Sequence, residues 1–535
     1  MSLVKNVGTI GGLTLVSRIF GFARDMLLAR VLGAGLAADA WQLAFTLPNT
    51  FRRLFAEGAF SVAFVPMYTR RLHDSDGDGD LGDGPDARQE AADQFASDVL
   101  SVFVWVLLGF SALCMIAMPG IVWLLAREYQ SVPGKFELAV VLSRVTFPYL
   151  GLVSLVAMLS GVLNARSKFA PGAVVPVLLN IVMIGGILIG WNLRGDSGDD
   201  TIVAWALAIS LALAGVAQLF YMMWAARSAG VRLKVTAPKF TPEVKRLGKL
   251  ILPATFGAGI YQISQLVDTF FATSLPQGSL TLLKMADRLN QMPLGVFGIA
   301  LGTAILPMLA RHIQTGNARE AQRLQENAVE IATLLCLPCV VALAICAEAF
   351  TTGIFAGGKM TLEDTQLMGR IVIALVAGLP AYVLIKVFQP AFFSREDTRT
   401  PVFVAAGALT INIALNFWVV PRYGIVGLAG ATAFTASLNV ACLYTILQVR
   451  GWFHFSAKLA SRIVRQLAAC AVMGAALWFM TPALEPWWSG DALGRIMALS
   501  ALVAGGGIVF FAAAFVLGAL DKDLIAQLRR KRAKS

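Results

Sequence analysis

The sequence predicts an all-α polytopic membrane protein with about 14 transmembrane helices of about 20 residues each. Of its 535 residues, 57% are hydrophobic and only 14% are charged, whereas a soluble domain carries about 25% charged residues. The mean hydropathy is +0.71. The apolar stretches that predict the helices lie near residues 8–32, 38–66, 97–125, 138–163, 172–193, 201–224, 250–275, 280–309, 328–350, 367–393, 401–420, 425–448, 463–481 and 494–519.

The basic residues in the loops predict the orientation. With the N-terminus in the cytoplasm, cytoplasmic loops hold about four times as many Lys and Arg as the opposite loops. This ratio places both termini in the cytoplasm and favours an even number of spans. The net charge of +12 is then mostly a topology signal, and the basic tail 528–535 faces anionic headgroups, so no nucleic-acid partner is expected.

Two internal similarities predict a duplication. VPMYTR at 65–70 resembles LPMLAR at 306–311, and Pro148 and Asn180 recur 232 residues later as Pro380 and Asn412. Six spans per half give a parallel repeat of the kind that transporters use. The predicted divisions are an N-lobe at 1–226, a cytoplasmic linker at 227–249, a C-lobe at 250–449, and helices 13 and 14 with the tail at 450–535.

Arg30, Arg465 and Arg495 lie at span ends and are counted with the loops, which leaves nine basic residues inside the predicted spans: Arg18, Arg24, Arg52, Arg53, Arg144, Lys284, Arg288, Arg370 and Lys386. Each would cost about 3 kcal/mol at a lipid-facing helix centre. They can form an intramembrane ion-pair network or line a water-filled cavity with surplus positive charge. The deep acids are fewer, which favours the cavity, and Arg grips phosphate oxygens with two parallel hydrogen bonds. Pro48 and Pro293 are candidate hinges in these spans.

No enzyme motif accompanies these charges. The acidic stretch Asp74 to Asp80 imitates a calcium loop, but the position for its twelfth, bidentate ligand is Pro85. The six cysteines lie in apolar segments and form no metal or disulfide pattern. We therefore expect a solvated loop and a transporter rather than an enzyme.

Four segments resemble the MurJ (MviN) family of lipid II flippases, which belongs to the multidrug/oligosaccharidyl-lipid/polysaccharide (MOP) exporter superfamily. They are SRIFGFARDMLLARVLGAGLAADAW (17–41), LPNTFRRLFAEGAFSVAFVPM (47–67), ADRLNQMPLGVFGIALGTAILP (286–307) and KVFQPAFFSREDTRTPV (386–402). The resemblance implies two six-helix lobes around a central cavity and a lipid-tail groove at helices 13 and 14. It also implies that a monomer in the bacterial inner membrane moves lipid II, the undecaprenyl-diphosphate-linked peptidoglycan precursor, to the periplasmic leaflet.

The same resemblance implies the site residues. The family's cavity charges match Arg18, Arg24, Asp25, Asp39, Arg52, Arg288 and Lys386. No cofactor is implied except a sodium ion that some members bind. Its ligands match Asp268, Asn412, Asn416 and Thr432, although Asn416 stands where the sodium-binding example has a carboxylate. Interhelical hydrogen bonds are the alternative role for these four.

Two further functions stay open within transporters. Another polyprenyl-diphosphate-linked glycan presents the same diphosphate to the arginines. A drug/cation antiporter would want surplus buried acid, whereas these spans hold surplus base. The expected partners are lipid II, membrane lipids and the cell-wall synthesis machinery.

Overall fold

The computed structural model describes residues 3–53, 59–73, 85–295 and 299–519. Within these ranges the chain forms nineteen α-helices. They are α1 Leu3–Leu32, α2 Leu36–Arg52, α3 Ala59–His73, α4 Pro85–Leu125, α5 Lys135–Thr146, α6 Pro148–Ala165, α7 Ala170–Arg194, α8 Asp200–Ser228, α9 Pro242–Thr273, α10 Ser279–Pro293, α11 Ile299–Gln314, α12 Ala318–Ile345, α13 Ala347–Phe355, α14 Leu362–Val376, α15 Leu379–Phe393, α16 Arg399–Val449, α17 Ala457–Ala483, α18 Glu485–Trp488 and α19 Ala492–Val516.

The described parts of all fourteen predicted spans lie mostly in helices, which confirms the all-α class. Five of them are built from two consecutive helices, such as α5 and α6, and two others are merged in α16 across Gly424, whose φ of 57° interrupts the helix. By length and composition, nine helical stretches in the described ranges can cross a membrane. Charged α1 is not among the nine, so the number of crossings stays a prediction. The stretch 74–80 lies outside the described residues.

Prolines free backbone carbonyls inside the spans, and side chains from neighbouring helices bind them. Pro48 has no N–H for the carbonyl of Ala44, and the Thr146 hydroxyl donates to that oxygen at 2.9 Å. Pro119 likewise frees the carbonyl of Met115, which accepts from Arg144 Nε at 3.1 Å. Because lipid supplies no hydrogen-bond donors, each of these two proline breaks depends on a donor from a neighbouring helix.

The contacts divide the chain into two units, Met1–Thr281 and Leu282–Ser535. The hydrophobic core of the first unit joins α3, α4, α6, α8 and α9, and that of the second joins α11, α12, α15, α16 and α17. Helix α9, which follows the first six predicted spans, therefore packs on the first unit, as α17 packs on the second. The predicted divisions at 227, 250 and 450 stay predictions.

Each unit repeats the same irregularities, in line with the predicted pseudo-symmetric lobes. The α5–α6 break before Pro148 recurs at α14–α15 before Pro380. Ser167 (φ 59°) and Glu396 (φ 62°) lie in the loops that follow, and they are the non-glycine residues with positive φ in the described chain. Such a backbone is uncommon for a side chain with a Cβ, so its recurrence at equivalent loops supports the duplication.

The carbonyl freed by Pro48 generates a test of the fold. Thr146→Val should lower the free energy of unfolding by about 1–3 kcal/mol, because the Ala44 oxygen is left buried without a donor. The thermal midpoint in detergent measures the loss, and Thr146→Ser is the control that keeps the hydroxyl. Adding Pro48→Ala, which restores the helical N–H, should recover part of the loss. A double variant whose two losses simply add would contradict the account.

Candidate functional site

Arg24 and Asp25 form a buried ion pair on α1. Arg24 donates from Nε at 3.1 Å and from one terminal nitrogen at 2.7 Å to Asp25 Oδ1. Its other terminal nitrogen lies 3.7 Å from Met183 Sδ, and its guanidinium lies 5.7 Å from the centre of the Phe45 ring. Arg24 is 6% exposed and Asp25 is 8% exposed. The structure thus shows a neutralised Arg24, the pairing that the ion-pair network predicts.

Arg18 and Arg52 have more open surroundings in the first unit. Arg18 lies on the same helix as Arg24 and is exposed, and within the described ranges it pairs with no carboxylate. Arg52 is partly buried at the end of α2, and its Nε lies 3.3 Å from Asn49 Oδ1. Of the two arginines on α1, Arg18 rather than Arg24 therefore carries a positive charge that no carboxylate of the described residues neutralises.

Asp39 is the centre of a saturated network. Its Oδ2 accepts from Lys135 Nζ at 2.9 Å and from the Gly278 amide at 2.8 Å. Its Oδ1 accepts from the amide and the hydroxyl of Thr281 at 3.1 and 2.8 Å. The side chains of Asp39 and Lys135 are each 3% exposed. Asp39 thereby joins α2, the first residue of α5 and the start of α10, and a carboxylate suits that helix N-terminus.

The sequence did not predict the role of Lys135. Lys135 is 96 residues from Asp39 along the chain. In the sequence it lies in a predicted loop, so it enters the sequence analysis only as one of the loop basic residues that predict the orientation. Gly134 precedes it with a φ of 76°, and Lys135 Nζ also lies 4.1 Å from the centre of the Tyr129 ring. Tertiary contacts alone identify this ammonium as the partner of a carboxylate inside the protein.

The second unit holds Arg288 and Lys386. Arg288 is partly buried on α10, and the neighbouring Asp287 accepts from the side-chain amides of Asn290 and Gln291. Lys386 is exposed on α15. A Cβ on Gly302 would lie 3.0 Å from the Lys386 carbonyl oxygen, so α11 and α15 approach closely at this glycine.

The four predicted sodium ligands fall in different units. Asp268 is buried in the first, whereas Asn412, Asn416 and Thr432 lie on α16 in the second. Asn416 Nδ2 donates to Asn412 Oδ1 at 3.0 Å, and Thr432 Oγ1 donates to the Leu428 carbonyl at 3.1 Å. Asn416 Oδ1 is buried without a hydrogen-bond partner, and a neutral oxygen of this kind suits a hard cation. Among the described residues, no three His, Cys, Asp or Glu side chains cluster as a metal site.

An Arg–Asp pair outside the spans closes the α15–α16 loop. Asp397 accepts from the amide and hydroxyl of Thr400 at 3.0 and 2.7 Å and from Arg450 at 2.5 Å. Burial acts to raise the pKa of Asp397, but these hydrogen bonds and the Arg450 charge lower it to about 2. The carboxylate therefore stays ionised at physiological pH and holds the start of α16.

An apolar groove of about 420 Å³ lies between α12 and α17. Its walls are formed by Val341, Ile345, Leu467, Cys470, Ala471, Gly474, Ala475 and Trp478. A groove with this lining in a membrane-spanning unit suits an acyl or prenyl chain.

Comparison with known proteins identifies the family. The family model described as lipid II flippase MurJ matches residues 28–497. A probable lipid II flippase MurJ from Rhizobium meliloti is 39% identical over 100% of this chain and 98% of its own.

The chain belongs to the MurJ family. A lipid II flippase MurJ from Burkholderia cenocepacia is 30% identical over 97% of this chain and 98% of its own. A MurJ structure in an inward closed conformation covers 96% of this chain and 99% of its own, with a TM-score of 0.76 at 23% identity. An inward-facing multidrug resistance MATE transporter of the MOP superfamily has a TM-score of 0.65 at 13% identity and covers 83% and 97%. These two structures show the shared MurJ and MATE fold.

The saturated Asp39 network generates a stability prediction. Asp39→Asn should cost about 3–5 kcal/mol, because it leaves the Lys135 ammonium buried without a counter-charge. Adding Lys135→Met removes that charge and should recover most of the loss. Chemical unfolding in one detergent measures both variants.

Glu320→Gln is the matched control, because it breaks an exposed pair with Arg323 that is worth less than about 1 kcal/mol. A double variant that is no more stable than Asp39→Asn alone would show that the Lys135 charge is not the cause of the loss.

Proposed function

We propose that this chain is a lipid II flippase that works by alternating access. The observation that carries the proposal is full-length membership of the MurJ family, at 30–39% identity to curated relatives that bear this function in their names. The all-helical membrane fold is that of a transporter, and the chain is not an enzyme. Lipid II, the undecaprenyl-diphosphate-linked peptidoglycan precursor, is therefore its substrate.

The contact residues are a further proposal. Exposed Arg18 and partly buried Arg52 meet the diphosphate first, because both are more accessible than Arg24, which is buried against Asp25. Charge-assisted hydrogen bonds from guanidinium to phosphate are about twice as strong as neutral ones. Within the second unit, Arg288 and Lys386 supply positive charge of the same kind.

Asp25 holds Arg24 ready for the substrate. An unpaired guanidinium at this depth would be costly, so the empty protein needs the carboxylate. A phosphate oxygen can bind the terminal nitrogen of Arg24 that lies beside Met183 Sδ while Asp25 keeps its own bonds to Arg24, so neither buried charge loses its partner. The Asp39 network instead holds α2, α5 and the start of α10 together, so we assign it a positioning role in which it does not touch the diphosphate.

The groove between α12 and α17 accommodates the prenyl tail in this proposal. Its apolar lining excludes the headgroup, and α17 is the predicted helix 13 that the family resemblance assigns to the tail. Both termini lie in the cytoplasm, as the loop charges favour. The transporter acts as a monomer in the bacterial inner membrane, beside the cell-wall synthesis machinery.

Another polyprenyl-diphosphate-linked glycan remains the second candidate substrate, because Arg18 and Arg52 read only the shared diphosphate. A drug/cation antiporter is less well supported. The MATE structures share the fold at 13–15% identity, but the basic residues of these spans repel a cationic drug.

Sodium is a separate proposal. The buried, unpartnered Asn416 Oδ1 and the Thr432 hydroxyl are oxygen ligands of the type that a hard cation takes. A bound ion would supply positive charge at α16 and tie its two halves together on either side of Gly424.

The arginine assignment predicts the effect of neutral substitutions on translocation. Arg18→Gln and Arg52→Gln should each lower the rate by on the order of tenfold or more, the loss of one charged hydrogen bond of about 1.5–3 kcal/mol. The measurement is the fraction of lipid II exposed to the periplasm in cells that depend on the variant.

Arg319→Gln, an exposed change on α12, is the matched control and should translocate normally. Normal lipid II exposure in cells that rely on membrane-inserted Arg18→Gln would remove Arg18 from the site. The same result with both arginines replaced would refute the proposed binding mode.

The sodium proposal predicts an ion-specific stabilisation. Sodium chloride should raise the thermal midpoint of the purified protein above that in potassium chloride at equal ionic strength, by linkage to the folded state. Asn416→Ala should abolish the difference, whereas Thr410→Ala, an exposed change on the same helix, should retain it. Equal midpoints in the two salts for the unmodified protein would rule the site out.

A further inference from the structure

The segment 229–250 comprises the connection between α8 and α9 and the first turns of α9. It carries an exposed basic surface that the transport site does not use. Its exposed cations are Arg232, Lys234, Lys239, Lys245, Arg246 and Lys249. The acid in this segment is Glu243, and it is paired with Arg71. The segment begins where α8, an apolar helix long enough to cross a membrane, ends. It therefore lies at the level of a membrane surface.

The first half of the segment is held by a ladder of acceptors on α4. The bonds join Arg232 N to Asp93 Oδ2 at 2.9 Å, Lys234 N to Ser97 Oγ at 3.1 Å, and Thr236 N to Ser101 Oγ at 2.9 Å. Four helical residues rise about 6 Å, and two residues of extended chain span about 6.6 Å. Side-chain acceptors spaced four residues apart on α4 therefore have nearly the same spacing as every second backbone amide of the extended segment.

This register fixes which side chains face outward. Successive side chains of an extended segment point to opposite sides. Val231 is buried and Leu233 is partly buried on one side, while Arg232 and Lys234 are exposed on the other. The burial of the first side ends at Val235, which is exposed. At one end of the ladder, a terminal nitrogen of Arg166 lies 2.6 Å from Asp93 Oδ1, and this ion pair fixes the Asp93 carboxylate. The cations are thus presented in a fixed row.

Exposed apolar side chains lie among these cations. Val235 is 63% exposed, Phe240 is 62% exposed and Leu250 is 49% exposed. Trp224, near the end of α8, is 65% exposed, as is typical of the aromatic residues at a membrane–water interface. Cations interspersed with exposed aromatic and aliphatic residues suit a lipid interface, where headgroup and acyl region are adjacent.

The start of α9 adds an electrostatic argument. Lys245, Arg246 and Lys249 lie in its first two turns, on the opposite side from buried Val244 and Leu247. Positive charges near a helix N-terminus oppose the helix dipole. Anions bound to this face would offset the repulsion between these cations and the positive end of the helix dipole, and they would also interact favourably with the dipole itself.

We propose that residues 229–250 form a docking surface for anionic phospholipid headgroups, with Val235 and Phe240 inserted among the lipids. The surface fixes the end of α8 and the start of α9 against the membrane. Anionic lipids attract basic residues near a membrane surface with about 1 kcal/mol for each cation. The inference concerns surrounding lipid and is independent of the cargo that the protein carries.

The test compares lipids retained by the purified full-length protein in mixed micelles of phosphatidylglycerol and phosphatidylcholine, counted by native mass spectrometry. The Lys245→Gln/Arg246→Gln/Lys249→Gln variant should lose on the order of 100-fold in preference for phosphatidylglycerol, three cations at about fivefold each. The matched control Arg311→Gln/Arg319→Gln/Arg323→Gln removes the same exposed charge elsewhere in the chain and should keep the preference.

A second pair of changes separates lipid from other anions. Val235→Ser/Phe240→Ser should weaken retention at every salt concentration while keeping its salt dependence, because the cations remain and the apolar contact is lost. Inorganic phosphate at equal charge should not displace the lipid. Retention that is unchanged in the triple variant, that falls equally in the control, or that phosphate abolishes would overturn the proposal.

Discussion

The hydrocarbon interior of a membrane offers no hydrogen-bond partners, and this constraint accounts for most of the irregular features of the chain. Where a proline removes a backbone donor, a hydroxyl or guanidinium from the next helix replaces it, as Thr146 and Arg144 do for the carbonyls of Ala44 and Met115. Buried charges are paired in the same way at Arg24 with Asp25 and at Lys135 with Asp39.

The charges of the first unit divide into two kinds under this rule. Asp39 has donors on both of its oxygens and joins three elements, so it contributes to structure. Arg24 has a single carboxylate partner on its own helix, and Arg18 lies exposed one and a half turns away. A transporter of an anionic lipid needs the second kind, because a guanidinium donates hydrogen bonds to phosphate oxygens, whereas a carboxylate such as Asp39 only accepts them and repels a phosphate.

The predicted duplication is supported by the packing of the helix that follows each set of six predicted spans. After six predicted spans, α9 packs into the core of the first unit and α17 into that of the second. The segments that lead to these helices are also fixed alike, since α4 binds the backbone of 232–236 and α12 binds that of 452–454 through Gln322 and Gln325. The recurring offset in the sequence therefore reflects a repeated packing scheme, including its connecting segment.

The sequence predicts the helices well because twenty apolar residues are a local signal, and the described part of each of the fourteen windows lies mostly in helix. Pro48 also predicts a freed carbonyl. The partner of that carbonyl, Thr146, is 102 residues away and follows no pattern. Lys135 is missed for the same reason, since a lysine beside a loop normally faces water. Counting residues leaves an ion-pair network and a charged cavity both open, because it does not show which charges meet, and the pairing of Arg24 with Asp25 is seen only in the structure.

The central claim is that exposed Arg18 and partly buried Arg52 hold the diphosphate of lipid II. A structure with bound lipid II tests this most directly. The account predicts phosphate oxygens within about 2.7–2.9 Å of the Arg18 and Arg52 guanidinium groups, with Asp39 still bound to Lys135. A diphosphate held by other residues, with Arg18 left in solvent, would contradict it.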